Sequence, residues 1–308
     1  MDNFSLSTPV AMLVFNRPEL TARVFAAIRA ARPQQLLIVA DGPRNGHPED
    51  VQRCAEIRRI VEQVDWPCRV FRNFSETNLG CKLRVSSGLD WVFSQVEEAI
   101  ILEDDCLPDY SFFRFCQEML EKYRNDPRVA SIGGNNFQFG SHNHPHSYYF
   151  SLYNHIWGWA SWKRAWLNYE LNMSKWLNVR NTDWLSNMFL KRTDINYWKC
   201  NFDKACKNEI DTWDIQWTFA CWLNNKLSII PRVNLVSNIG FAPDALHTSN
   251  TASRLASIPT TPIEFPLNHP PFVVRNVQAD AVTQKNVYGR NALNIFIDTV
   301  KFAFRSNI

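Results

Sequence analysis

Short apolar runs alternate with amphipathic segments along the first part of the chain, from about residue 9 to residue 134. The runs predict buried strands at residues 10–15, 36–40, 68–71, 99–102 and 129–132. After the first run, Pro18 beside Glu19 marks a helix start, and Leu20, Val24 and Ile28 recur at helical spacing. Strands that alternate with helices in this way predict an α/β fold, in which helices cover both faces of a mostly parallel, twisted sheet.

Polar side chains follow three of these predicted strands at the point where each strand ends. Asn16 and Arg17 follow the first strand, Asp41 follows the second, and three consecutive acids follow residues 99–102. Because the carboxyl ends of parallel strands meet at one edge of a sheet, these side chains are expected to converge there. Open α/β sheets bind their ligands at that edge, so the pattern predicts a binding site.

The three acids are Glu103, Asp104 and Asp105, and by themselves they allow two interpretations. They could form a solvated turn before the next helix, which the pattern places at residues 108–123. They could also bind a cation, since adjacent carboxylates repel one another unless water or a positive ion neutralises them. The convergence with Arg17 and Asp41 favours the cation site.

The second half of the chain is rich in aromatic residues, and the whole sequence contains 12 Trp and 21 Phe. Small residues separate the aromatic ones in the segment that begins at Trp157 and Trp159. This spacing is typical of tight packing or of a platform on which a sugar stacks. Core packing is the favoured role for most of these tryptophans.

Helical spacing continues through residues 162–190, and a further helix follows Asp211 and Asp214. Residues 250–275 are rich in Ser, Thr and Pro and predict an extended linker. Beyond them, Leu293, Phe296 and Val300 belong to an apolar stripe that could dock on the chain itself, on a second copy or on a membrane surface. We therefore divide the chain into an α/β half at 1–134, an aromatic-rich half at 135–250, and a linker with an amphipathic helix at 251–308.

Composition and missing motifs exclude several classes of protein. The net charge of +3 is too small to indicate nucleic-acid binding, and none of the eight cysteines forms a CxxC pair typical of zinc knuckles. No Gly-x-Gly-x-x-Gly follows the first strand and no Gly-Lys-Ser/Thr loop occurs, which disfavours dinucleotide-binding and P-loop proteins. The first residues do not look like a signal peptide, so a cytoplasmic protein with free thiols is expected, with the inner face of the membrane as the alternative location.

The sequence resembles GT-A nucleotide-sugar glycosyltransferases. It is most similar to the family of N-acetylglucosaminyltransferase I, which begins the branching of N-glycans, and to related bacterial enzymes. The resemblance covers about residues 10–220 and rests on four segments. They are Leu13-Val-Phe-Asn-Arg17, Val39-Ala-Asp-Gly42, Ile101-Leu-Glu-Asp-Asp105 with the Pro-Asp and aromatic helix after it, and Trp157-Gly-Trp159 with Trp213-Asp214.

The resemblance implies a GT-A fold in which residues 1–134 are the nucleotide-sugar-binding half and residues 135–250 the acceptor-binding and catalytic half. It also implies a role for each acid at the sheet edge. Asp105 would bind Mn²⁺ or Mg²⁺, which neutralises the donor's diphosphate, while Asp104 would face the ribose and Glu103 the donor sugar. Arg17 and Asp41 would lie against the nucleotide base, although Asp41 before Gly42 and Pro43 could also simply form a turn. Lys82 could neutralise phosphate charge or lie on a helix surface.

The reaction implied is inverting transfer, in which a general base deprotonates an acceptor hydroxyl that attacks the anomeric carbon. Asp214 follows Trp213, as the base of the family does, and Asp211 is the second candidate. Trp157, Trp159 and Trp213 are the acceptor-binding candidates, and His247 is a candidate second metal ligand. The expected partners are a nucleotide-sugar donor, most simply a UDP-sugar, and a glycan or glycolipid acceptor in polysaccharide biosynthesis.

Two other functions stay open at this point. The chain could be an inactive GT-A domain that binds a glycan or a protein partner through its Trp-rich half. It could also be a metal-dependent nucleotidyltransferase, which shares the fold, but Asn16, Arg17 and Pro18 do not supply the Gly-rich basic signature expected near the first strand. The sequence gives neither the donor sugar, the acceptor nor the oligomeric state.

Overall fold

The computed structural model describes residues 4–141, 144–241 and 253–289. Ten strands are present in these residues. They are β1 Val10–Val14, β2 Gln35–Ala40, β3 Arg69–Phe74, β4 Glu98–Glu103, β5 Cys106–Pro108, β6 Val129–Gly133, β7 Tyr148–Ser151, β8 Trp159–Trp162, β9 Leu227–Pro231 and β10 Val236–Asn238. Eight of them form one sheet in the order β3-β2-β1-β4-β8-β6-β9-β7, and β5 pairs with β10 in a separate ribbon.

The sheet is mostly parallel. Strands β3, β2, β1 and β4 pair in parallel, and β8 is antiparallel to both of its neighbours, so β6 and β9 point the same way as β4. Only β7 and β8 run in the opposite direction within the described sheet. Strands from the first 134 residues and from the rest of the chain thus alternate in a single sheet.

Helices cover both faces of this sheet, as the alternating pattern predicts. Their bounds are α1 Pro18–Ala31, α2 Pro48–Val61, α3 Gly80–Gln95, α4 Tyr110–Tyr123, α5 Lys163–Trp166, α6 Trp176–Val179, α7 Arg192–Cys206, α8 Asp214–Leu223 and α9 Val277–Val287. The buried residues of α1, α2 and α4 belong to the core on one face, and those of α3, α5, α7 and α8 to the core on the other. The predicted α/β fold class is confirmed.

The predicted start of the fourth helix at Pro108 is wrong. Pro108 lies in β5 and pairs with Val236 of β10. The helix begins after Asp109, whose side chain accepts a hydrogen bond of 2.8 Å from the backbone nitrogen of Ser111. An aspartate at this position satisfies one of the free N–H groups of the first turn, and so it defines where the helix starts.

The long helix predicted over residues 162–190 is also wrong. The segment contains only the short helices α5 and α6, with turns between and after them. Met173 between them has a φ of 48°, which interrupts any continuous right-handed helix. The indole of Trp176 donates to Asp203 of α7, so the tryptophans of this segment anchor turns to a helix that the pattern did not predict.

Some expectations fall on residues that the structure does not describe. His247 and the apolar stripe from Leu293 onwards lie outside the described residues. Within the described residues, no helix is both long enough and apolar enough to cross a membrane. All eight cysteines are described, and none of them takes part in a disulfide bond.

Candidate active site at the sheet edge

The sheet brings the predicted polar residues to one edge. Glu103 at the end of β4 pairs with Leu13 of β1, and Val14 pairs with Ala40 of β2. The three strands are parallel neighbours, so the residues that follow them emerge at the same end. The expected convergence of Arg17, Asp41 and the three acids is therefore confirmed as a feature of the fold.

Arg17 joins two of the acids directly. Its Nη1 donates to Oδ2 of Asp105 over 3.0 Å, and its Nη2 donates to Oδ1 of Asp104. Asp104 is 2% exposed and Asp105 is 8% exposed, so the solvated-turn interpretation does not fit them. A nucleotide base was the expected neighbour of Arg17, whereas the structure pairs its guanidinium with the acids.

Glu103 is the acid of the cluster with which no cation pairs in the described residues. Burial, followed by the charges of Asp105 and Asp104, raises the pKa of Glu103 to about 8. The charge of Arg17 opposes this rise, but it is already shared between the two aspartates. In the described part of the chain no side chain donates a hydrogen bond to Glu103, so the cluster has an excess of acid over base.

Asp214 lies on the side of the sheet that Glu103 faces. It is the first residue of α8, and its charge is among those that raise the pKa of Glu103. The hydroxyl of Thr212 donates to its Oδ1, which fixes one oxygen of the carboxylate. A half-buried carboxylate at this position can accept a proton from a hydroxyl group held near Glu103.

Asp211, the second candidate base, contacts a helix instead. Its Oδ1 accepts a hydrogen bond of 3.1 Å from the backbone nitrogen of Lys82 in the first turn of α3. The Lys82 side chain is buried and donates to Asn208. Its ammonium group thus has a protein partner and does not pair with the acid cluster.

Asp41 also supports the start of α3. Its Oδ1 accepts from the backbone nitrogens of Gly42 and Leu79 at 2.8 and 2.9 Å. Its Oδ2 accepts from Asn78 and from the backbone nitrogen of Gly80 at 3.0 and 3.2 Å. A carboxylate offers about four acceptor positions, so a base could contact Asp41 only by displacing one of these donors.

The three candidate acceptor-binding tryptophans occupy different environments. Trp159 and Trp213 are 1% and 2% exposed and stack on each other at 5.6 Å in the core. Trp157 is half-buried and packs edge to face against Phe137 and Phe241. The core-packing role is confirmed for Trp159 and Trp213, and only Trp157 offers a partly accessible ring.

Gly240 was not predicted to belong to the site. A Cβ atom at this position would lie 2.3 Å from Oδ2 of Asp105 and 2.8 Å from Nη1 of Arg17. The backbone of Gly240 is thus pressed against the ion pair, and any side chain would displace it. The only signal in the sequence was weak, a glycine at the end of the run Asn234-Leu-Val-Ser-Asn-Ile-Gly240.

His155 is a second residue that sequence reasoning missed. Its Nδ1 lies 3.0 Å from the carbonyl oxygen of Asn135, so Nδ1 must carry the proton that is donated. Its Nε2 is buried and has no hydrogen-bond partner within the described structure. Burial lowers the pKa of His155 to about 4, so the ring is neutral near pH 7.

The acids do not form a cluster of three metal ligands, but two of them lie together around one positive group. Among the described residues, no group of three or more His, Cys, Asp or Glu side chains is arranged to hold a metal ion. Asp104 and Asp105 do share one positive group, the guanidinium of Arg17, so a cation is accommodated beside both. This geometry fits Mg²⁺ or Mn²⁺ bound through one or two carboxylates, with phosphate and water oxygens as the other ligands.

Comparisons with known proteins give only remote likenesses. No protein-family model matches the sequence, and no curated protein matches it. Among solved structures, 4-diphosphocytidyl-2C-methyl-D-erythritol synthase from Anaerococcus prevotii is 10% identical with a TM-score of 0.37, covering 73% of this chain and 88% of its own. UDP-glucose pyrophosphorylase complexed with UDP-glucose is 8% identical with a TM-score of 0.34, covering 73% of this chain and 90% of its own.

A third structure, HddC from Yersinia pseudotuberculosis, is 8% identical with a TM-score of 0.31, and the match covers 51% of this chain and 77% of that one. Likenesses of this size establish neither a family nor an activity. The resemblance to glycosyltransferases therefore stays a prediction, and the proposed function rests on the contacts within the site.

Proposed function

We propose that this protein is an inverting glycosyltransferase that moves a sugar from a nucleotide-diphosphate donor, most simply a UDP-sugar, to a hydroxyl of a glycan or glycolipid. The observation that carries the proposal is the charge of the sheet edge. Asp104 and Asp105 share one guanidinium, and the charge of Asp214 adds to theirs in raising the pKa of Glu103, so a diphosphate needs an added cation to bind there. Carboxylates that recruit a divalent cation for a diphosphate are the chemistry of metal-assisted sugar transfer.

Asp105 is the proposed metal ligand. A bound Mg²⁺ or Mn²⁺ would neutralise charge that develops on the leaving diphosphate. Asp104 is held by Arg17 and by the backbone nitrogen of Phe15 at 3.4 Å, which orients its carboxylate at the end of β1. Glu103, with its raised pKa, can donate a hydrogen bond to a sugar hydroxyl as well as accept one.

Asp214 is the proposed general base. It lies on the same side of the sheet as Glu103, where an acceptor hydroxyl could reach both the base and the donor sugar. The hydrogen bond from Thr212 limits the rotation of its carboxylate. Removal of a positioned general base typically slows a reaction by about 10²–10⁴-fold.

Trp157 is the proposed stacking surface for the acceptor. Its ring is partly accessible, and its neighbour Phe241 follows Gly240, which touches Asp105. An aromatic face beside the reacting centre suits the apolar face of a sugar ring. Trp157→Ala is expected to raise the KM for the acceptor more than it lowers kcat.

The test is a panel of UDP- and GDP-sugars incubated with Mn²⁺ and the protein, with detection of the released nucleotide product. Release of nucleoside diphosphate, lost in Asp105→Asn and kept in the surface variant Asp65→Asn, supports glycosyl transfer. In a parallel incubation with a nucleoside triphosphate and a sugar phosphate, release of pyrophosphate would instead show a nucleotidyltransferase. Binding of nucleotide sugar or glycan without any turnover would show the inactive binding protein.

A further inference from the structure

The guanidinium of Arg17 occupies the position that a metal ion would be expected to take. Its two terminal nitrogens contact Oδ1 of Asp104 and Oδ2 of Asp105 at the same time. Both nitrogens are bonded to one carbon, so the two carboxylate oxygens lie on the same side of the cluster within a few ångströms of each other. A cation that binds between these oxygens must therefore meet Arg17.

The surroundings hold this ion pair in place. Arg17 is the residue before α1, and its carbonyl accepts the first helical hydrogen bond, from Thr21 at 2.9 Å. Gly240 closes the other side, since even a methyl group there would lie 2.8 Å from Nη1 of Arg17. The Arg17 side chain is nevertheless 35% exposed, so part of it faces solvent, from which a phosphate could approach.

We infer that Arg17 and a divalent cation compete for Asp104 and Asp105. Arg17 therefore weakens metal binding until a diphosphate binds its guanidinium. The inference deepens the proposed function and rests on it. In the free protein Arg17 already supplies one positive charge to the pair, and a divalent ion would have to displace it or lie beside it. Both alternatives cost electrostatic free energy in a poorly solvated site.

A nucleotide diphosphate removes this conflict. Its phosphate oxygens accept from the guanidinium that leaves the aspartates, because a fork of parallel N–H groups fits phosphate as well as carboxylate. Asp105, freed from the guanidinium, would then be able to hold a divalent cation. Metal and nucleotide should therefore bind with positive coupling, and each should raise the affinity of the other by the same factor.

The other nearby cation cannot take this role. The Lys82 ammonium donates to Asn208, and a lysine offers a single charged group where Arg17 offers two nitrogens in one plane. Arg44 pairs with Asp50 at 2.6 Å. Lys82 and Arg44 therefore already have other partners in the described structure.

The experiment is a titration of the purified protein with Mn²⁺, followed by electron paramagnetic resonance of the free ion, with and without UDP. Arg17→Met is expected to bind Mn²⁺ about tenfold more tightly than the wild type without UDP, and to show a smaller enhancement by UDP. Arg29→Met is the matched control. Arg29 lies near the end of α1, far from the site, and pairs with Asp65. Its replacement should leave both quantities unchanged.

Equal or weaker Mn²⁺ binding by Arg17→Met overturns the inference. Arg17→Lys keeps the charge but loses the fork, so its affinity should fall between those of the wild type and Arg17→Met, and circular dichroism checks that each variant is folded. If the wild type and Asp105→Asn bind Mn²⁺ equally, or if neither binds it with UDP, the proposed metal site is wrong as well. If Mn²⁺ binding depends on Asp105 but not on Arg17, this inference alone is wrong and the proposed metal site stands.

Discussion

The Oδ1 atom of Asp211 lies 3.1 Å from the backbone nitrogen of Lys82, so a residue just before α8 caps the first turn of α3. The free N–H groups at a helix start need acceptors, and a carboxylate also interacts favourably with the positive end of the helix dipole. Asp41 serves the same helix from the end of β2. Two aspartates that the sequence offers as site residues therefore cap α3 in this structure, whereas Asp214 lies in the first turn of α8 and accepts a hydrogen bond from Thr212.

The contrast between Asp211 and Asp214 predicts different kinetics for their asparagine variants. Asp211→Asn keeps an oxygen that can accept from Lys82, and it is expected to retain most of the transferase activity. Asp214→Asn removes the proposed base, and kcat should fall by about 10²-fold or more. Steady-state kinetics with saturating donor and acceptor would check both. The reverse ranking would make Asp211 the base.

Asp41→Asn is expected to destabilise the fold by about 2–3 kcal/mol. Four donors point at the carboxylate, and an asparagine would turn its own NH₂ group toward two of them, which leaves buried donors without acceptors. Urea unfolding measures the change, and Asp65→Asn is the exposed control. A variant with normal stability that no longer binds UDP would instead support the base contact implied by the resemblance.

Gly240→Ala tests whether the glycine is needed for the geometry of the ion pair. The new methyl group would overlap Oδ2 of Asp105, so the carboxylate must move away from Arg17. We expect UDP affinity in the presence of Mn²⁺, measured by calorimetry, to fall by about tenfold or more, while overpacking costs about 1–3 kcal/mol of stability. Gly46→Ala, where a Cβ meets no atom within 4 Å, is the control for UDP affinity, which should be normal, while its φ of 78° means that alanine strains the backbone there and lowers stability.

Because of His155, we expect the folded protein to lose stability in acid. Its pKa is about 4 in the folded protein and 6.5 in an ordinary environment, because burial disfavours the charged ring. The unfolded chain therefore binds the proton first. The contribution of His155 is fully present above pH 6.5 and is lost as the pH falls toward and through 4.

The matching experiment compares urea unfolding of the wild type and His155→Gln between pH 7 and pH 4. The free energy of unfolding of the wild type should fall more steeply, by about 3 kcal/mol over this range, because 2.5 pKa units correspond to that amount. Other titrating groups contribute nearly equally to both proteins and cancel in the difference. Parallel curves would mean that His155 is not buried in its neutral form.

The sequence by itself determined those strands, and the sheet edge, that follow from the local pattern of apolar and polar residues. Apolar runs predict strands wherever they are buried on both faces, so β1, β2, β4 and β6 and their order of appearance could be identified. The edge at which Arg17, Asp41 and the acids meet follows from parallel pairing alone. Strands β7 and β8 were not identified as strands, because their residues were assigned to a polar loop and to aromatic packing.

The tertiary structure decided what each of these residues contacts. Only the folded chain shows that Asp41 and Asp211 cap α3, that Trp159 and Trp213 stack in the core, and that Lys82 contacts Asn208. The partner of Arg17 could likewise not be predicted from the sequence, since Arg17 and Asp105 are 88 residues apart. The physical reason is that strand runs are set by neighbours along the chain, whereas the protonation, pairing and exposure of a carboxylate depend on groups that only folding brings beside it.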